Sequence, residues 1–217
     1  MEITISRVAI VTGGAGFIGT NLTKKLLDVG YEVKVIDNFR SSSKKRLLNL
    51  EVQLEESDLA DPRVTQNKIF KNADIIFHLA ADVDNRFAWT RPNEIIKNNV
   101  EATLNVGLAA KNFGISKIVY SSTGTIYGDN GNPPFNETEE NSKQSSIYGS
   151  TKYSGEGILS VISTHFDINV RVFRFVGVLG QGYTHGHVFD FVKSLIKDSK
   201  RIKVLGDGNQ KNLMYTF

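Results

Sequence analysis

Tyr148 and Lys152 stand four residues apart in Tyr148-Gly149-Ser150-Thr151-Lys152, the separation that puts two side chains on one face of a helix. An unperturbed phenol loses its proton near pH ~10. Held beside a lysine ammonium, its phenolate becomes accessible at lower pH, and Tyr148 could then accept a proton from a sugar or alcohol hydroxyl. An amphipathic helix that buries its tyrosine and exposes its lysine would show the same spacing, so the pair needs company. It has some in Tyr120-Ser121-Ser122-Thr123-Gly124-Thr125, a run of hydroxyls that could bond a substrate oxygen and the tyrosine. A polar strand-to-loop turn is the plainer reading of that run.

A second chemical signal lies at the other end of the chain. Thr12-Gly13-Gly14-Ala15-Gly16-Phe17-Ile18-Gly19 follows the apolar run Val8–Val11 and precedes a helical pattern over Asn21–Val29. Strand, glycine turn and helix N-terminus in that order make an anion site, because the first helical N–H groups lack partners and the helix dipole is positive there. Gly13 can take backbone angles closed to other residues, Gly16 admits a pyrophosphate, and Gly19 lets helix and sheet pack closely. The spacing is G-x-x-G-x-x-G. The next strand pattern, Glu32–Ile36, ends at Asp37, where a carboxylate can grip an adenosine ribose and repel a 2′-phosphate. NAD is therefore expected over NADP, although Arg40 is close enough to weaken that preference. A nicotinamide ring would add positive charge beside Tyr148, and Lys152 could bond the nicotinamide ribose.

The remaining patterns say what positions these groups. Further strands are expected at Val52–Glu55, Ala73–Ala81, Ile115–Tyr120 and Asn169–Phe175, with helices over Pro92–Phe113, Ser146–Phe166 and Val188–Lys197. A short strand is expected at Ile202–Leu205, followed by a turn at Gly206-Asp207-Gly208. Strand and helix alternate five times, which predicts an α/β fold: a doubly wound parallel sheet with helices on both faces. Asp58 sits just past a strand end, suited either to an adenine amino group or to a helix N-cap. His78 reads as a structural histidine. Asn98 and Asn99, inside a helical pattern, need polar partners if buried. The long polar stretch Asp129–Ser146 reads as a candidate substrate lid.

The chain has 217 residues, 40% of them hydrophobic, enough for one large domain or one domain and part of another. A net charge of +3, dispersed along the sequence, argues against nucleic acid as a partner. With no cysteine there are no disulfides or thiolate metal sites, and no metal is expected. No apolar run is long enough to cross a bilayer, so no membrane partner is expected and the reading is a soluble, cytoplasmic protein.

Taken together, Thr12–Gly19, Asp37-Asn38, Asp58-Leu59, His78–Ala81, Asn98-Asn99-Val100, Ser121-Ser122-Thr123 with Tyr127-Gly128, and Tyr148–Lys152 resemble the extended short-chain dehydrogenase/reductases. Within them the likeness is to NAD-dependent nucleotide-sugar epimerases and dehydratases, especially the UDP-glucose 4-epimerases. The resemblance implies a Rossmann fold and a catalytic set of Thr123, Tyr148 and Lys152. It implies NAD contacts from Gly13, Gly16, Phe17, Ile18, Gly19, Asp37, Asn38, Ser42, Asp58 and Leu59. Further contacts come from Leu79, Ala80, Ala81, Asn99, Ser121, Tyr148, Lys152 and Phe175, with Asn99 by the nicotinamide ribose and Phe175 by the nicotinamide. Substrate contacts fall to Thr123, Thr125 and Tyr148. In such a 4-epimerase the tyrosine deprotonates the sugar 4-hydroxyl, NAD takes the C4 hydride, and the 4-keto sugar turns and receives it back on its other face.

Two departures bear on the substrate. Dehydratases of this kind place an acidic residue after the threonine; Gly124-Thr125 stand here, which favours epimerisation. Epimerases usually carry an asparagine where Gly177 lies. The likeness also predicts a NAD-binding domain with the catalytic set over residues 1–175. Residues 176–217 would begin a substrate lobe that is largely absent. A UDP-hexose substrate and a homodimer are expected, with a catalytically silent NAD-binding module or a dehydrogenase of another small alcohol as alternatives.

Overall fold

A computed structural model describes residues 7–83, 88–128, 134–138, 143–183 and 186–204, and the backbone of a strand at 214–216. The chain divides into two compact units, Met1–Phe175 and Val176–Phe217.

The first unit is a six-stranded parallel sheet. Its strands are β1 (Val8–Thr12), β2 (Glu32–Asp37), β3 (Val52–Glu56), β4 (Ile75–His78), β5 (Lys117–Thr123) and β6 (Asn169–Phe175), in the spatial order β3-β2-β1-β4-β5-β6. The order reverses at β1, and ligands of such sheets lie in the crevice beyond the strands' carboxyl ends at that point. The period of two divides the side chains between two cores. Ile10, Ile36, Ile76, Ile118 and Tyr120 pack with Val106, Ala110, Leu159 and Ile162 in one cluster. Ala9, Val11, Val33 and Val35 pack with Ala15 and Leu26 in the other. Both faces are covered, which is why β1 reads as one unbroken apolar run.

Among the described residues, four α-helices serve this sheet: α1 (Phe17–Asp28), α2 (Pro92–Ile96), α3 (Ala102–Phe113) and α4 (Ile147–Phe166). The single helix expected over Pro92–Phe113 is broken by a π-helical turn at Lys97–Glu101, which carries the buried Asn99. One inserted residue in a helix turns a side chain toward a partner that ordinary α spacing would miss. Strand four is shorter than expected, and strand five runs three residues further, to Thr123.

The second unit contains β7 (Gly177–Leu179) paired in parallel with β8 (Met214–Thr216), and helix α5 (His187–Lys197). The strand expected at Ile202–Leu205 does not form: Arg201–Val204 is irregular, and Leu205 lies outside the described residues. The turn Gly206-Asp207-Gly208 and half of the expected lid, residues 129–133 and 139–142, also lie outside them.

Candidate active site

The crevice begins at the glycine turn. Gly13 has φ +69°, open to glycine at little cost, and its N–H donates to the Ile36 carbonyl at 2.8 Å. A side chain there would press within 2.9 Å of Ala80 Cα, so the turn lies directly against Leu79-Ala80 at the exit of β4. Helix α1 starts from Gly16 with no side-chain cap and no acidic residue in its first turn. A helix N-terminus left in that state suits a pyrophosphate. Phe17 and Ile18 open the helix and are half-buried.

Asp37 ends β2 beside the glycine turn. Its Oδ2 accepts the Ala15 N–H at 3.0 Å, and its Oδ1 accepts the Phe39 N–H at 2.8 Å and the Ser42 hydroxyl at 2.9 Å. Three donors hold the carboxylate in place and aimed. Ser42 thus reaches the site through Asp37, and Asn38 shapes the loop by accepting the Arg40 N–H at 3.1 Å. Asp58 is exposed and accepts the Ala60 N–H at 3.0 Å. It does not cap a helix; Asp61 caps the following 3-10 turn instead. Leu59 is buried in the core, with its carbonyl accepting from Asn105 Nδ2 at 2.9 Å.

A buried polar chain joins the glycine turn to the catalytic helix. Thr12 Oγ1 lies 2.8 Å from His78 Nδ1, and His78 Nε2 lies 3.0 Å from Thr103 Oγ1. Thr103 donates in turn to the Asn99 carbonyl at 2.6 Å. This direction requires the neutral Nε2–H tautomer, and burial with the nearby Lys152 charge lowers the His78 pKa to about 3. Asn99 Nδ2 donates to the Asp82 carbonyl at 3.0 Å and to Thr151 Oγ1 at 2.9 Å, while its Oδ1 accepts the Asp82 N–H at 2.7 Å. Both amide N–H groups are therefore engaged inside the protein. The Asn99 side chain thus clamps the β4 exit to α4. Ser121 likewise donates inward, to the His78 carbonyl at 3.2 Å.

Helix α4 carries the tyrosine–lysine pair. Ser146 caps it, accepting the Gly149 N–H at 3.0 Å, so Tyr148 sits in the first turn and Lys152 in the second. Lys152 is 1% exposed, with Nζ 4.1 Å from the centroid of the Tyr120 ring. Tyr120 fits under α4 because Gly155 has no side chain; a Cβ there would meet the phenol oxygen at 2.2 Å. Burial lowers the Lys152 pKa to about 7, opposed by the charge of Glu156. Burial raises that of Tyr148 to about 12. The protein's own groups thus favour the neutral tyrosine.

Thr123 ends β5 and is buried, with Oγ1 accepting the Thr125 N–H at 3.2 Å. Phe175 stands beside it in register on β6. Thr125 is exposed, and its Oγ1 would lie 3.1 Å from a Cβ built on Gly149. The β5 end and the first turn of α4 therefore converge.

Two residues beyond the sequence-level set complete this corner. Glu156, one turn past Lys152, accepts the Ser122 hydroxyl and pairs with Arg174 through Nε at 3.2 Å and Nη2 at 2.9 Å. Arg174 Nη1 also donates to the Tyr127 hydroxyl and the Glu137 carbonyl, each at 3.1 Å. Glu156 was legible as the third member of an i, i+4, i+8 series with Tyr148 and Lys152. Nothing in the sequence singled out Arg174.

Family comparison agrees with this geometry. Residues 9–213 match the model of the NAD dependent epimerase/dehydratase family. The chain belongs to that family. Among its relatives, the UDP-glucose 4-epimerase of Haemophilus influenzae is 37% identical over 158 residues, covering 69% of this chain and 46% of that protein. The structure of UDP-glucose 4-epimerase from Thermotoga maritima superposes with a TM-score of 0.88 at 29% identity, covering 96% of this chain and 69% of that one. A UDP-galactose 4-epimerase structure gives 0.81 at 35% identity, covering 88% and 63%. The chain spans 66% of the length of the first curated relative it matches, and less of others. NAD is the family's cofactor, and the uncapped α1 terminus and the three-donor Asp37 carboxylate fit it. Among the described residues, no helix is long and apolar enough to cross a membrane.

Proposed function

We propose that this chain carries the cofactor site and catalytic set of a nucleotide-sugar 4-epimerase acting on a UDP-hexose. The observation that carries the reading is the convergence of Thr123 at the β5 end with Tyr148 and Lys152 on α4, followed by Gly124-Thr125 rather than an acid. Tyr148 takes the proton from the sugar 4-hydroxyl and returns it, while Thr123 bonds the same oxygen. NAD, held by the glycine turn and Asp37, would supply the hydride acceptor and donor for C4. Lys152, one helical turn along α4 from the tyrosine, would hold the nicotinamide ribose. UDP-glucose and UDP-galactose, named for the relatives above, are the first substrates to try.

Residues 1–175 act as the NAD-binding domain, and residues 176–217 contribute to a substrate lobe. Exposed Leu104 on α3 and Val161 on α4, at 41% and 58%, are apolar positions suited to a homodimer contact. The protein works in the cytoplasm, where nucleotide sugars are at hand.

The test loads the chain with NAD and follows UDP-galactose conversion to UDP-glucose. Tyr148→Phe should lower turnover at least 100-fold and leave NADH binding within about twofold. Unchanged turnover in the variant would refute the role of Tyr148. Retained NADH binding with no wild-type turnover would make the chain a silent binding module.

A further inference from the structure

The loop after β2 and the segment after β4 flank the glycine turn, because β1 lies between those two strands in the sheet. One side chain bridges them. Arg40 Nη2 donates to Asp82 Oδ2 at 3.1 Å and to Glu94 Oε2 at 2.7 Å. The bridge therefore crosses the mouth of the crevice above the turn. Its far end is firmly placed: the Asp82 backbone is held on both sides by the buried Asn99 amide. Glu94 also accepts from Arg91 Nη1 at 3.2 Å. Its near end is shaped by the Asp37, Asn38 and Ser42 hydrogen bonds, with Phe39 in the left-handed region at φ +54°.

We propose that Asp82 and Glu94 determine cofactor choice, by holding Arg40 across the crevice and away from the 2′ position of the adenosine ribose. A 2′-phosphate beside Asp37 brings like charges together, and it is tolerated only if a cation comes between them. Arg40, three residues beyond Asp37, is the cation placed to do so. Lys44, further along the loop, pairs with Glu56 at 2.5 Å. Recruiting Arg40 means breaking both of these ion pairs. Asp37 disfavours the phosphate directly, and the acidic pair removes the remedy. The inference rests on the NAD reading of the crevice.

The test measures NADH and NADPH dissociation constants by fluorescence for the full chain, Asp82→Asn, Glu94→Gln, the double variant, and the double variant with Arg40→Ala. Thermal melting confirms that each is folded; Glu94 is exposed, so Glu94→Gln is the safe single variant. Releasing Arg40 should tighten NADPH about fivefold in the double variant, a modest gain because Arg40 and Glu94 are solvent-accessible and only Asp82 is largely covered. NADH should move less than twofold, and Arg40→Ala should cancel the gain. NADPH affinity unchanged in a folded double variant that still binds NADH would overturn the proposal alone. A gain that survives Arg40→Ala would overturn it too, since the phosphate would be using another cation. Failure of the parent chain to bind NADH would overturn the cofactor reading and this inference with it.

Discussion

Gly19→Ala is the substitution whose cost the structure sets most directly. A Cβ at Gly19 would lie 2.2 Å from the Gly13 carbonyl oxygen, 2.7 Å from Gly14 Cα and 2.9 Å from Gly13 C. All three are backbone atoms, so no rotamer change relieves the overlap. The Gly13 carbonyl also accepts the Gly16 N–H at 3.0 Å, and moving it by the ångström or so required would break that bond. Overpacking costs about 1–3 kcal/mol, and the lost hydrogen bond adds about 1 kcal/mol. A total of about 3 kcal/mol lowers the melting temperature by roughly 6–12 °C in a chain of this size. The same shift deforms the pyrophosphate turn, so NADH affinity should fall at least tenfold. Gly157 is the control, an exposed residue within α4 whose added Cβ meets nothing within 4 Å. Gly157→Ala should stabilise by about 0.5–1 kcal/mol through helix propensity. Circular dichroism melts and NADH fluorescence titration of both variants decide the matter. If Gly19→Ala melts within 2 °C of the parent and binds NADH within twofold, the close packing of helix on turn is not what this glycine provides.

Glu156→Ala leaves the Arg174 guanidinium, in a site where the two side chains are only 13% and 19% exposed, without its carboxylate. A loss of about 2–4 kcal/mol in urea unfolding is expected, with Glu156→Gln recovering part of it through Ser122. Ser146→Ala removes the α4 cap and should cost about 1 kcal/mol, read in the same assay; no change would mean that the first turn is held by packing alone. Stability without cofactor should depend on pH in three windows. Unfolded His78 binds a proton below its ordinary 6.5 that the folded residue refuses until about 3, so stability falls as pH drops through that range. Unfolded Lys152 stays charged up to its ordinary 10.5 while the folded one gives up its proton near 7, so stability rises between those values, on the order of 2–4 kcal/mol. Folded Tyr148 keeps its proton to about 12 against an ordinary 10, so stability falls again above pH 10. Lys152→Met should flatten the middle rise, and a flat parent profile from pH 7 to 10 would show that this lysine keeps its charge when folded.

The motifs legible in the sequence were those whose chemistry is local. A glycine turn between an apolar strand and a helix needs only a few consecutive residues to declare itself. Asp37 was visible because a strand ended there, and Tyr148 with Lys152 because a helix has a fixed period. Alternating patterns likewise foretold a parallel sheet covered on both faces, since such strands are continuously apolar. Tertiary structure decided what each polar group does with its hydrogen bonds. A π-turn aims Asn99 at Asp82 and Thr151, and no helical periodicity announces an inserted residue. The expected strand at Ile202–Leu205 failed because short-range propensity does not supply a partner strand. Arg174 and the Arg40 bridge were invisible for one reason: their partners lie 18, 42 and 54 residues away. The pKa values of Tyr148 and Lys152 followed the same rule, since burial is a property of everything packed around a residue and spacing records only its neighbours along the chain.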